Sequence, residues 1–481
     1  MIKTLRRSST PGACFWALLA LVSLLGAEAL ALPQWAVQSG RACDTCHTDP
    51  TGWPNPELAE RKCSLSCGTC HVNPTGGGMR NAGGLYFGRQ TLPMFGSRPA
   101  DELYKAPKIK LTNGPSPGSQ PSQAPTEEMK GTPIPKGDWY WQMPLDQAPR
   151  LGVWPWKVPG PMTAGRYAGI PVSPTFQVGT DLRFMAYYPQ EEGVETAYFP
   201  MQADLHLLAR PYNPEGVNVG RLTTLITMGF QGSRGEEFDG FVDRYFTREW
   251  WALYDNLPYQ FYVKGGRFLP AYGWKLDDHT AYTRQGMDLL GTPFDHERQV
   301  TGVEVGLNPN YFYAHASLFN AAQKWDEPIK DEDGYGAALT AGWRHMGWHV
   351  GGSLMGGSKE GLDQVTAGAN WALNLMWYDI LPIMYLGELN YTHSGLDGRD
   401  RNGMNAFHEV EVRATRGVQL KLRYDWRDPD TQFIDDHLHR YIVGVQWYPV
   451  SFLEVIVQYR HNRELEQIDN DEFFVQLHGW Y

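Results

Sequence analysis

Two short runs near the N-terminus place two cysteines and a histidine in an order that can bind an iron porphyrin. They read Cys43-Asp44-Thr45-Cys46-His47 and Cys67-Gly68-Thr69-Cys70-His71. In such a Cys-x-x-Cys-His pentad the two thiols add covalently to the haem vinyl groups, and the histidine supplies the proximal ligand of the iron. The sequence therefore predicts two covalently bound haem c groups. The residues predicted to hold them are Cys43, Cys46, His47, Cys67, Cys70 and His71.

A structural zinc site is the alternative use of these cysteines. The 20 residues between Cys46 and Cys67 fit the spacing of a zinc ribbon with four thiolate ligands. A ribbon gives no reason for a histidine to follow both pairs, and in an exported chain such thiols would tend to form disulfides. We therefore favour haem. The remaining cysteine of this region, Cys63, has no histidine beside it, and we expect it to be a bystander.

Several residues are candidates for the sixth iron ligand opposite His47 and His71. The next histidine in the chain is His206, so a second histidine ligand would have to come from a distant segment or another chain. Met79 and Met94 are the nearby thioethers, and a methionine ligand raises the reduction potential relative to two histidines. Met79 lies only eight residues after His71. We expect Met79 to pack rather than to bind iron.

The first 31 residues have the pattern of a secretion signal. Basic residues precede an apolar run at 15–25, and the small-residue sequence Ala29-Leu30-Ala31 follows as a cleavage site. The apolar run is too short to span a bilayer comfortably, and no later run approaches the length of a transmembrane helix. We therefore predict export of the mature chain, either as a soluble periplasmic protein or as a barrel.

Composition excludes one class of partner and leaves two classes of fold. The formal net charge of −11 gives no basic surface, so we expect no nucleic-acid partner. Trp, Tyr and Phe together make up 13% of the chain. Such an aromatic excess suits the girdles of a membrane barrel as well as the core of a soluble β protein.

The mature chain divides into three parts. Residues 32–96 are rich in glycine and proline and form the di-haem segment, whose core would be the haem itself. Residues 97–174 combine a proline-rich linker with an aromatic docking segment. Residues 175–481 consist of segments of about ten residues that alternate apolar and polar side chains between turns.

This alternation predicts an all-β fold, an antiparallel transmembrane β-barrel of about 16 strands, with both ends on the periplasmic side. In segment 418–426 the two faces are Val418, Leu420, Leu422, Tyr424 and Trp426 against Gln419, Lys421, Arg423 and Asp425. The apolar face would meet lipid and the charged face would line a lumen. The final segment, 473–481, alternates in the same way and ends on the aromatic Tyr481. This ending resembles the terminal strand of bacterial outer-membrane barrels.

The order of signal peptide, pentad segment, linker and barrel resembles the fused porin-cytochromes of outer membranes. The resemblance implies an electron carrier that links a periplasmic electron-transfer protein to an extracellular metal or other redox partner, with lipid around the barrel and the haem segment periplasmic or in the lumen. Porin-cytochromes of iron oxidisers typically carry one haem motif, whereas this chain has two. The direction of electron flow and any enzymatic activity toward extracellular iron therefore stay open. A passive porin with a cytochrome appendage is the alternative.

Two further groups of polar residues fall in segments expected to be loops. A cluster of charged residues around a long loop could bind metal ions or gate a pore, but we expect it to be solvated: Lys264, Arg267, Lys275, Asp277, Asp278, His279 and Arg284. We expect His345 and His349 to be separated by a turn rather than paired on a helix. The run Asp435, Asp436, His437 and His439 could make an external metal contact.

Overall fold

The computed structural model describes residues 66–86 and, with internal gaps, residues 174–481. All of them belong to one compact unit, Ala31–Tyr481. The predicted signal peptide, the first pentad and residues 87–173 lie outside the described residues. The gaps in the second range are 191–194, 215–217, 231–244, 275, 277–280, 284–298, 309–310, 321–333, 346, 360–361, 376–377, 379, 397–398, 416, 434–435, 451 and 465–467.

The alternating segments form strands, because a period of two puts successive side chains on opposite faces of a pleated sheet. In the described residues the strands are β1 (Phe176–Pro189), β2 (Ala197–Tyr212), β3 (Arg221–Phe230), β4 (Tyr245–Asp255), β5 (Tyr262–Phe268), β6 (Val300–Leu307), β7 (Phe312–Asn320), β8 (Tyr335–Arg344), β9 (Trp348–Lys359), β10 (Leu362–Asn374), β11 (Ile383–Leu396), β12 (Arg399–Thr415), β13 (Val418–Asp428), β14 (Leu438–Val450), β15 (Leu453–Glu464) and β16 (Ile468–Trp480).

These strands form one closed antiparallel barrel, which confirms the predicted fold class. Each strand pairs with its neighbours in the chain, and β1 pairs with β16 to close the sheet. In that seam Asp181 lies opposite Trp480. The main chains of Thr180 and Tyr481 exchange two hydrogen bonds, of 2.8 and 2.9 Å. The last residue of the chain therefore takes part in closure.

The distribution of side chains is that of a protein surrounded by lipid. On β13 the two faces are as predicted: Leu420 and Leu422 point outward and are 42% and 51% exposed, whereas Arg423 and Asp425 are buried inside the barrel. Many other large apolar side chains lie on the outer surface, while most of the buried charged groups line the lumen. Among the described residues no helix is long and apolar enough to cross a membrane.

The two ends of the barrel differ. At the end where β1 begins and β16 finishes, the connections range from the two residues that join β12 to β13 up to the eight that join β10 to β11. We call this end of the barrel the turn end. At the opposite end, the loop end, residues 269–299 join β5 to β6. In outer-membrane barrels the short turns face the periplasm and the longer loops face outward. Two further short elements are a 3-10 turn, Pro258–Gln260, and a helix, Ala82–Tyr86.

Gly266 lies where β4 and β5 approach so closely that no side chain fits. Its φ of +135° is a conformation that residues with a side chain rarely adopt, and an added Cβ would lie 2.7 Å from Trp251 Cα. Gly266→Ala should therefore destabilise the barrel by about 1–3 kcal/mol. Urea unfolding followed by heat-modifiable gel mobility measures this. Gly265→Ala is the matched control, because the nearest atom to its Cβ would be 3.9 Å away. Equal stability of the two variants would contradict the account.

Candidate functional site

Residues 66–86, which we call the lumenal segment, lie inside the barrel at its turn end and carry the second pentad. Gln177, near the start of β1, donates a hydrogen bond of 2.8 Å to the carbonyl of Arg80. The Arg80 guanidinium lies 4.9 Å from the ring centre of Trp480, at the end of β16. Met79 is buried in a cluster with apolar side chains from the lumenal wall. The segment is therefore in contact with both strands of the closing seam.

The second pentad forms a tight turn that presents its thiols and imidazole together. Cys67–Thr69 is a 3-10 helix whose N-cap, Ser66, accepts a hydrogen bond of 3.2 Å from Gly68 N. The backbone amides of Cys70 and His71 both donate to the Cys67 carbonyl. The Cys67 and Cys70 side chains are half-buried, and His71 is buried. One turn thus carries all three groups that a c-type haem requires.

Asn81 fastens this turn to the chain that follows it. Its side-chain amide donates to the carbonyls of Gly68, at 2.6 Å, and His71, at 3.1 Å. Its backbone amide donates to the Cys70 carbonyl at 3.0 Å. The helix Ala82–Tyr86 then packs so closely that a Cβ on Gly84 would collide with that same carbonyl. The sequence did not point to Asn81, because nothing in its spacing predicts these hydrogen bonds to the pentad turn.

The glycine run that follows the pentad is a turn that only glycine forms easily. Gly76, Gly77 and Gly78 have φ values of +85°, +77° and +61°. Such a left-handed conformation costs other residues about 1–2 kcal/mol each. The turn returns the chain so that His71 and Arg80 form an antiparallel bridge. A Cβ on Gly76 would touch Cys67 Sγ, whereas Gly77 and Gly78 face open space.

A buried ion pair on the wall anchors the lumenal segment. Lys264 Nζ lies 2.6 Å from Glu304 Oε1, and both side chains are fully buried. The same ammonium donates to Asn73 Oδ1 at 3.3 Å, and Asn308 donates to the Pro74 carbonyl at 2.6 Å. The expectation that Lys264 belongs to a solvated loop is wrong, because Lys264 lies on β5 and faces the lumen. Its neighbour in that expectation, Arg267, is also buried on β5.

Charged and aromatic wall residues surround the Cys67 thiol. The Arg344 guanidinium, at the end of β8, donates a hydrogen bond to Asn308 Oδ1 and lies near enough to the Cys67 thiol to interact with it electrostatically. The guanidinium also lies 4.8 Å from the ring centre of Tyr313. The Tyr313 hydroxyl is 3.1 Å from His349 Nε2, and the ring centres of His349 and Trp274 are 4.5 Å apart. A continuous run of side chains therefore leads from the pentad into the lumen.

Trp274 reaches this position because the chain after β5 folds inward. Tyr272, Trp274 and Tyr282 of residues 269–283 are all buried. Trp274 donates from its backbone amide to Glu388 Oε2, at 2.6 Å, and from its indole to the Gly387 carbonyl, at 2.9 Å. Burial, with the Glu388 carboxylate nearby, raises the pKa of Tyr272 well above its ordinary value. Tyr272 is therefore a neutral phenol that donates to Asn390.

Other strands of the lumenal wall carry buried charges as well. Lys421 lies 3.5 Å from Glu409 and 3.0 Å from Glu411. His478 lies 2.9 Å from Glu454 and 3.2 Å from Asp181. These groups are well separated in the chain and meet because strand register places them on the same inner face. The lumen is therefore lined by paired charges of both signs.

The structure places the remaining sequence-predicted residues as follows. Cys43, Cys46, His47 and Met94 lie outside the described residues, and their roles stay predictions. Met79 is 2% exposed, and its side chain lies beside Gly179 of β1, a setting that suits packing. His345 lies in the turn between β8 and β9, while His349 faces the lumen from β9, so a turn separates them as expected.

The residues of the second pentad fit a c-type haem in type, order and setting. Cys67, Cys70 and His71 project from one turn, and the glycines beside it leave open space where side chains would stand. The attached haem would be held by Cys67 and Cys70 through thioether bonds and by His71 through its iron.

Comparison with known proteins bears on the fold. No family model and no curated protein sequence matches the chain. Among solved structures, in-vitro folded OmpT, an outer-membrane protein of Vibrio cholerae in its trimer form, is similar at a TM-score of 0.50 and 9% identity, over 64% of this chain and 99% of that one. An anion-selective porin from Comamonas acidovorans is similar at a TM-score of 0.47 and 13% identity, over 64% and 99%. The barrel therefore shares its fold with a bacterial outer-membrane protein.

Loss of the Lys264 ammonium should loosen the lumenal segment. Lys264→Met leaves Glu304 buried without its counter-charge, a loss that typically costs about 3–5 kcal/mol, and Asn73 loses its donor. Amide hydrogen exchange of residues 71–81 should then speed up at least about tenfold, since about 1.4 kcal/mol corresponds to a factor of ten.

Lys421→Met is the matched control, because Lys421 is paired with two glutamates elsewhere on the lumenal wall. It should leave exchange in residues 71–81 unchanged. Equal acceleration in both variants would mean that general loss of stability, not local anchoring, explains the effect.

Proposed function

We propose that this protein is an outer-membrane electron carrier in which c-type haem, bound in the lumen at Cys67, Cys70 and His71, passes electrons between the periplasm and an extracellular donor or acceptor. A second haem, bound at Cys43, Cys46 and His47, belongs to the same proposal. The observation that carries it is the position of the second pentad inside the barrel.

The barrel itself supports the outer-membrane location. Its outer surface is apolar, and its closed sheet leaves no strand edge unpaired within the hydrocarbon region. The turn end, where the lumenal segment lies, is the end that faces the periplasm in bacterial outer-membrane barrels. The pentad is thus well placed to receive or deliver electrons on the periplasmic side.

The surroundings of the pentad support a redox role more than a packing role. When bound, haem would supply one-electron exchange between ferrous and ferric iron. The chain's contribution is to hold the thiols and the imidazole on a braced turn and to exclude lipid with the barrel wall. Arg344 places a positive charge beside Cys67, and Tyr313, His349 and Trp274 continue from there into the lumen.

A passive porin is the second candidate, because the chain forms a closed antiparallel barrel with a charged lumen and shares its fold with an outer-membrane protein. The lumen argues against it as the sole activity. Residues 66–86 occupy the turn end, and Tyr272 and Trp274, from the chain that follows β5, lie in the lumen and bond with β11. Both take up space that a diffusion pore would leave to water and solutes.

Covalent haem content tests the proposal directly. We expect two haems per chain in protein matured by a c-type cytochrome assembly system, measured by pyridine haemochrome absorbance and by haem staining of denatured gels. The double variants Cys43→Ser/Cys46→Ser and Cys67→Ser/Cys70→Ser should each retain one haem, because each pentad binds its haem independently.

Cys63→Ser is the matched control, since Cys63 has no histidine beside it and should leave the haem content unchanged. An unstained wild-type chain would overturn the proposal and favour the zinc-bearing alternative.

A further inference from the structure

The loop that joins β13 to β14, at the loop end of the barrel, brings together three side chains that can bind a metal ion. Asp428 is the last residue of β13, and Asp436 and His437 come just before β14. One ligand atom from each lies within 4.8 Å of the other two. This group lies at the opposite end of the barrel from the lumenal segment. It is therefore independent of the second pentad.

Each of these side chains keeps an atom that is buried and lacks a hydrogen-bond partner. The atoms are Asp428 Oδ1, Asp436 Oδ1 and His437 Nδ1. The Asp428 side chain is only 8% exposed. A buried carboxylate oxygen without a partner destabilises the folded state, because it has lost its hydrogen bonds to water and has formed none within the protein. Three side chains that each keep such an atom, and whose ligand atoms lie within 4.8 Å of one another, form an arrangement that a cation would stabilise.

Several other polar atoms among the described residues of the loop already have hydrogen-bond partners, and Asp435 lies outside the described residues. Asp436 Oδ2 accepts a hydrogen bond of 3.1 Å from the Asp430 amide. Asp430 Oδ1 in turn accepts from the Gln432 amide at 3.2 Å. His439, which the sequence grouped with Asp436 and His437, instead lies 2.9 Å from the Tyr424 hydroxyl. Asp428, which the sequence did not mark, takes its place.

An ordinary ion pair between His437 and Asp428 explains the arrangement less well. Their closest atoms, Nδ1 and Oδ2, are 3.5 Å apart, which is long for a charge-assisted hydrogen bond. Three ligand atoms at about 2.1 Å from one metal ion lie roughly 3.0–3.6 Å from one another. The 3.5 Å between His437 Nδ1 and Asp428 Oδ2 already falls in this range, and the group that includes an Asp436 oxygen spans no more than 4.8 Å.

We propose that Asp428, Asp436 and His437 bind one divalent first-row transition cation that holds the β13–β14 loop to the outer lip of the barrel. Two carboxylates and an imidazole are a donor set suited to such ions, whereas Mg²⁺ and Ca²⁺ prefer oxygen ligands alone. Three protein ligands leave further coordination positions for water or for a ligand from outside.

Mn²⁺ is the probe, because it prefers oxygen and nitrogen donors and so avoids the cysteine thiols. We would titrate the full-length, haem-loaded protein in neutral detergent and follow the electron paramagnetic resonance signal of free Mn²⁺. The wild-type chain should bind one ion at this site. Asp428→Asn and His437→Gln should each weaken binding at least about tenfold, since even indirect partners of metal ligands are worth 10–100-fold.

His461 and Asp471 provide the matched control. They form an Asp–His pair of 2.7 Å on β15 and β16, and they belong to no group of three potential ligands among the described residues. His461→Gln and Asp471→Asn should leave Mn²⁺ binding unchanged. Heat-modifiable gel mobility confirms that every variant is folded.

Three results would overturn the proposal. The first is a wild-type chain that takes up no Mn²⁺. The second is an equal loss of binding in the control variants, which would mean that general surface charge attracts the ion. The third is displacement of Mn²⁺ by an equal concentration of Mg²⁺, which would contradict the assigned class of cation.

Discussion

Pairing of the first and last strands is the constraint on which the rest of the structure depends. An open sheet of this size would leave two rows of unpaired amide and carbonyl groups, which the hydrocarbon core of a membrane cannot hydrate. The seam between β1 and β16 removes both rows, and Tyr481 completes it through its main chain. Once the sheet is closed, its outer face must be apolar, and its inner face is free to carry charge.

Side chains on that inner face hold the lumenal segment, residues 66–86, and so position a functional site near the N-terminus. Residues 66–86 form a small braced unit of their own, and Gln177, Lys264 and Asn308 bond that unit to the lumenal wall. The Lys264–Glu304 pair, Asn308 and Arg344 each belong to a different strand or turn, yet closure brings them to one end of the lumen. The barrel thus acts as the missing core of a segment that is too short to fold alone.

Much of the fold could be predicted from sequence because its signals are local. Alternation with a period of two is visible in any single strand, and it correctly assigned Leu420 and Leu422 to lipid and Arg423 and Asp425 to the lumen. The pentads are equally local. Lys264, Arg344 and Asp428 could not be found in this way, because their partners depend on strand register and on loops that return to the barrel. Charge alone suggested solvation for Lys264, whereas a single buried glutamate on the next strand decides otherwise.

Electron transfer across a sealed membrane tests the central claim most directly. The haem-loaded protein would be inserted into liposomes that hold a reduced viologen inside and a ferric chelate outside. The account predicts that the trapped dye is oxidised, and that an equal amount of inserted Cys67→Ser/Cys70→Ser protein abolishes or strongly slows this oxidation. A dye that stays reduced beside a fully haem-loaded wild-type barrel would contradict the account.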